Sequence, residues 1–139
     1  MNVSFEEKSV WIQLVGMVIG LGIYFVIAGQ MALSGVRAMP AYAAVFMVAV
    51  VGMVIFLIIA HILAAIMGKP EQSDERDKLI NWRSEHNSAW VAAVGMLAAI
   101  TCMVFGVENV WTANLLLLSL ALSEILGFVL RIVYYRRGV

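Results

Sequence analysis

Residues 40–67 run for 28 positions without an Asp, Glu, Lys or Arg. No other feature restricts the chain as much. A helix needs about 20 residues to cross a hydrocarbon layer about 30 Å thick. Three other apolar stretches, at 10–33, 89–106 and 109–133, are also long enough, with 89–106 the shortest. As a helix, 40–67 would reach about 42 Å and must tilt or protrude. None of the four alternates apolar with polar residues as a barrel strand does. Helix is therefore the spanning state, because it satisfies its own backbone polar groups.

Composition supports the same solvent. Of 139 residues, 63% are hydrophobic and 13% charged, against about 25% charged in a soluble domain. A core this small cannot hide that much apolar surface, so lipid must cover much of it. The two outer connections are short, which makes each pair of spans an antiparallel hairpin. The chain is thus expected to be one all-α membrane domain, residues 1–139, with four antiparallel transmembrane helices in a bundle. The net charge of zero gives no reason to expect nucleic-acid binding.

Basic residues orient the spans. Lys8, Lys69, Arg76, Lys78, Arg83, Arg131, Arg136 and Arg137 fall on one side, against Arg37 alone on the other. The positive-inside rule puts both termini and the segment 68–88 in the cytoplasm. Trp11, Trp90, Tyr134 and Tyr135 fall near that interface, and Tyr42 and Trp111 near the opposite one. The start "MNVSFEEK" lacks the basic region of a cleaved signal. Ser4 is placed to cap the amide of Glu7 and receive the bond back, as in a capping box.

Lipid tails compete with Leu, so small residues should mark the helix contacts. Gly16 and Gly20 stand in G-x-x-x-G spacing, and Ser119, Ser123 and Gly127 repeat every fourth residue. Span three carries Ala92, Ala93, Gly95, Ala98 and Ala99. The glycine pair is open to two readings, packing within the bundle or homo-oligomerisation.

Ionisable groups inside a membrane are costly and point to function. His61 and Glu124 both lie in the cytoplasmic half of their spans, at similar depths, where a hydrogen bond between them is geometrically possible. Asn114, Leu117, Ala121, Glu124, Phe128 and Arg131 share one stripe of span four. Arg131 can reach toward Glu124 or snorkel to the phosphates. His61 and Glu124 are either a polar clamp or a proton or cation relay. Cys102 alone forms no intramolecular disulfide. No H-E-x-x-H, Walker loop, G-x-S-x-G or calcium-loop spacing is present, so no enzyme, metal or cofactor is expected.

Nine of the eighteen charged residues lie between 68 and 90. Ser73 is expected to cap a helix with Asp74, Glu75 and Asp77 in its first turn, where acids suit the helix dipole. Lys78 follows Asp74 at the favoured spacing for an ion pair. This helix should continue into span three or bend near Asn87, with Trp82 near the bilayer boundary. "DERDKLI" followed by "RSE" before a transmembrane helix resembles a motif of small prokaryotic four-helix membrane proteins, the DUF2178-like type. The opening "SFEEKSVW" resembles the start of some bacterial members. The resemblance implies a place in the prokaryotic cytoplasmic (inner) membrane and no assigned activity. It also implies a signalling or sequestering role beside small DNA-binding regulators. The expected function is non-enzymatic: through Asp74, Glu75, Arg76, Asp77, Trp82 and Arg83 the segment either binds a partner, a cytoplasmic regulatory protein being one candidate, or sets the packing of the bundle. The rival is a small proton- or cation-coupled transporter or channel using Glu124 and His61.

Overall fold

A computed structural model describes residues 5–67 and 74–137. Four helices lie within them: α1 Phe5–Leu33, α2 Met39–Met67, α3 Glu75–Val104 and α4 Asn109–Arg137. Each is long and apolar enough to cross a membrane. Ser4, Ser73, Lys69 and Glu71 lie outside the described residues, and so does the expected bonding of Ser4.

The two short connections are built alike. Gly35 and Gly106 take the left-handed conformation, with φ of 79° and 69°. Gly35 N–H donates to the Ala32 carbonyl and Val36 N–H to Met31, at 3.2 and 3.0 Å. Gly106 donates to Met103 and Val107 to Cys102, at 3.1 and 2.9 Å. This pair of bonds is the Schellman ending, in which glycine reverses the chain and uses up the last free carbonyls of the helix. It ends α3 at Val104, two residues before the apolar stretch itself ends. Pro40 sits in the first turn of α2, where its missing N–H has no partner to lose.

The start of α3 corrects one expectation. Asp74, not Ser73, is the cap: its Oδ1 accepts the Asp77 N–H at 2.8 Å, and Asp77 Oδ2 accepts the Asp74 N–H at 3.0 Å. Three residues beyond Ser73 stands Arg76, which has no acceptor to return the bond. Three beyond Asp74 stands a second carboxylate, so the reciprocal box closes one residue later. From there α3 runs unbroken past Asn87 for 30 residues.

The extensive contacts join α2 to α1, α1 to α4, and α4 to α3. The helices therefore form an open row with α2 and α3 at its ends, not a closed ring of four. Small residues build the seams. A Cβ on Gly16 would come within 2.7 Å of Leu57, and one on Gly20 within 2.9 Å of Met53. The G-x-x-x-G pair is thus spent on α2 within the chain. A Cβ on Gly95 would strike the Ser119 side chain, and one on Gly127 would stand 3.1 Å from Ser88 Oγ. Ser84, Ser88 and Ser119 return their hydroxyls to carbonyls three residues back at 2.8–3.2 Å. They act as small residues with no unmet polar group. The α1–α4 seam is built from mostly larger, apolar side chains, with Val10, Phe128 and Ile132 at one end and Tyr24, Ala28 and Val110 at the other. None of the central stretch of α2 is buried.

Candidate functional site

One end of the row gathers most of the charge. Glu7 of α1 pairs with Arg136 of α4 at 3.2 Å, and the Arg136 guanidinium also lies over Trp11. The first turns of α3 lie against the last turns of α4. Tyr135 donates its hydroxyl to Asp77 Oδ1 at 2.9 Å, and Asn87 donates to the Tyr134 hydroxyl at 2.8 Å. Arg131 donates to Glu85 at 2.6 Å and to Ser84 Oγ at 3.2 Å. Ile80 and Ser84, both at 0% exposure, seal the seam beneath these bonds. A helical segment of mostly polar residues is thereby fastened along one edge.

The expected docking residues divide accordingly. Asp74 and Asp77 cap the helix, and Asp77 also holds Tyr135. Arg76 reaches the Tyr135 carbonyl at 3.5 Å, and Arg83 lies over the Tyr134 ring at 5.8 Å. Glu75 and Lys78 are exposed, and Lys78 makes no ion pair with Asp74. Trp82 is 64% exposed and stacks on His86, four residues on, with centroids 5.7 Å apart. Stacking at this spacing follows from helix geometry.

His61 and Glu124 are not brought together. His61 Nδ1 stands 2.8 Å from the Leu57 carbonyl, so in the neutral ring this nitrogen carries the proton. Its Nε2 then accepts from Ser9, 3.0 Å away on α1, and Gln13 donates to the same hydroxyl at 3.3 Å. Both ring nitrogens are satisfied, and the ring clamps α2 to α1. Glu124 faces elsewhere. It is exposed on the wall of a groove between α3 and α4 and makes no hydrogen bond or ion pair among the described residues. Arg131, for which reach toward Glu124 or snorkelling to the phosphates were both open, pairs instead with Glu85. The nearby acid on α3 costs the guanidinium less extension than one two turns back on its own helix.

No family model, curated protein or solved structure matches this chain. Among the described residues no group of three His, Cys, Asp or Glu side chains is placed to hold a metal ion.

Two contacts away from this charged end were also not foreseen. Arg37 and Glu108 pair at 2.8 Å, and Arg37 also lies over Trp111. They stand two residues after Gly35 and Gly106, so "GVR" and "GVE" occupy the same place in the two connections. That repeated tripeptide, opposite in charge, was the available signal. Tyr24, buried in the α1–α4 seam, donates to Asn114 Oδ1 at 2.8 Å. A tyrosine hydroxyl deep in an apolar span needs an acceptor, and Asn114 was the only amide in the apolar part of span four.

Proposed function

We propose that the chain is an antiparallel four-span protein of a prokaryotic cytoplasmic membrane, with both termini and the first turns of α3 in the cytoplasm. It would act by docking a cytoplasmic regulatory protein and not by catalysis. The observation that carries this reading is the division of labour along those first turns. One edge is fastened to α4 by Asp77, Arg131 and Asn87, while Glu75, Lys78 and Trp82 stay exposed. A surface held in place before binding loses less entropy on binding. The antiparallel order is supported by contacts that rise along one helix as they fall along its neighbour. Gly16 lies by Leu57 and Gly20 by Met53, and Glu7 by Arg136 and Tyr24 by Asn114. The sidedness is supported by the eight basic residues on one side. The resemblance of "DERDKLI" and "RSE" to the DUF2178-like proteins agrees with such a role.

Photo-crosslinking residues at positions 75, 82 and 111, used one at a time in native membranes, test it. Positions 75 and 82 should capture one and the same cytoplasmic protein, and position 111 should not. Lys78→Glu should abolish that capture. Lipid alone at position 82, or capture indifferent to Lys78→Glu, overturns the docking role. Trp82 would then be an interfacial anchor.

A further inference from the structure

The groove between α3 and α4 combines features that a lipid-facing seam does not need. Its volume is about 380 Å³, within the range of small-molecule sites. Ala92, Met96, Leu120 and Phe128 make its walls apolar, and Ser88 and Ser123 add a narrow polar strip. The Ser123 hydroxyl is already given to the Ser88 carbonyl at 3.0 Å, so the strip is largely satisfied. Three charged groups border the groove: Glu85, Arg131 and Glu124. Arg131 and Glu85 neutralise each other at 2.6 Å. The acid of this set left without a partner among the described residues is therefore Glu124. Glu124 lies ten residues before Tyr134, about 15 Å along the helix axis. A carboxylate at that depth would be solvated by neither water nor protein.

We propose that this groove binds a lipophilic organic cation, whose charge sits on Glu124 while its apolar groups lie against Met96, Leu120 and Phe128. The proposal rests on α3 and α4 spanning the membrane. A compact inorganic ion is a poor match, because the apolar walls cannot replace its hydration shell. A cation whose charge is shielded by apolar substituents loses little hydration on entering and reaches the groove through the lipid. Anions and neutral molecules of the same shape gain nothing from the carboxylate.

The test is equilibrium dialysis of tetraphenylphosphonium against the purified full chain in detergent micelles, with tetraphenylborate as an anion of the same shape. The chain should bind the cation saturably and the anion only by partitioning. Glu124→Gln should weaken the cation by about thirtyfold or more, as expected when one member of a desolvated charge pair is lost. Leu120→Trp, which fills the groove and leaves its charge alone, should abolish saturable binding, and both variants should keep the wild-type helix content by circular dichroism. Equal uptake of cation and anion, or unchanged cation binding in Glu124→Gln, overturns the site. Incorporation into lipid vesicles is scored in parallel. A chain that inserts but does not bind overturns the site alone, and one that stays outside the vesicles overturns the membrane reading as well.

Discussion

Asp77 accepts from two directions, the Asp74 amide on its own helix and the Tyr135 hydroxyl on α4. The first bond sets where α3 begins, and the second sets what α3 leans on. Tyr135→Phe removes only the second. It should lower the unfolding free energy by about 0.5–1.5 kcal/mol, the usual net value of one hydrogen bond. It should also speed amide exchange in the first two turns of α3 more than in α2. Asp74→Ala removes the cap instead and should cost about 0.5–2 kcal/mol. Exchange unchanged in Tyr135→Phe would show that the hydroxyl bond does not hold the segment down. Of the two bonds, only the cap was legible in the sequence, and only to within one residue. The choice between Ser73 and Asp74 turned on which residue three positions later can return a hydrogen bond, and that test was available. The Tyr135 bond was not legible, because it joins residues 58 positions apart and depends on how α3 and α4 are rotated against each other.

Rotation is settled by small residues, and here the helices follow the sequence closely. Glycines repeated at helical spacing read correctly as seams, since a seam without side-chain bulk lets two backbones approach. Which glycines matter was not readable from spacing. Gly22 lies close in sequence to Gly16 and Gly20, yet nothing stands within 4 Å of a Cβ built on it, whereas one on Gly95 would strike Ser119. Gly95→Ala should therefore force α3 from α4 and cost about 1–3 kcal/mol, as overpacking does. Gly22→Ala should be neutral or stabilise by up to about 1 kcal/mol, since it only removes a helix-weakening residue. Reversible unfolding in mixed micelles compares the two on one scale. Equal effects would mean that the α3–α4 seam is not closely packed. The stripe Asn114, Leu117, Ala121, Glu124, Phe128 and Arg131 shows the limit of such reading. Ala121 and Phe128 are buried, but Glu124 is exposed and Arg131 has turned to α3. A stripe drawn on one helix does not say where the neighbour's edge falls.

The order of the four helices across the row could not be read from the chain. Short connections fix α1 beside α2 and α3 beside α4, but not which members of the two hairpins meet. The structure joins α1 to α4 and leaves α2 and α3 at the ends. Two charged fastenings tie this arrangement, Arg37–Glu108 at one end and Glu7–Arg136 at the other. Glu7 of the second pair is buried, whereas the Arg37–Glu108 pair is exposed. An exposed ion pair contributes about 0–1 kcal/mol, so Arg37–Glu108 selects a register more than it holds the molecule together. The apolar Val10–Phe128–Ile132 and Tyr24–Val110 contacts hold it. If the row spans a membrane as the basic residues direct, the Arg37–Glu108 end faces outward and the Asp77–Tyr135 end faces the cytoplasm. In a Cys102→Ala background, Ser34→Cys should react with an impermeant maleimide in intact cells. Lys78→Cys should react only after the membrane is opened. Both sites are exposed, so failure to react cannot come from burial in the fold. Labelling of both from outside, or of neither, contradicts the two-hairpin topology. Labelling of Lys78→Cys alone inverts it, and would put the proposed α3 docking surface where no cytoplasmic regulator could reach it.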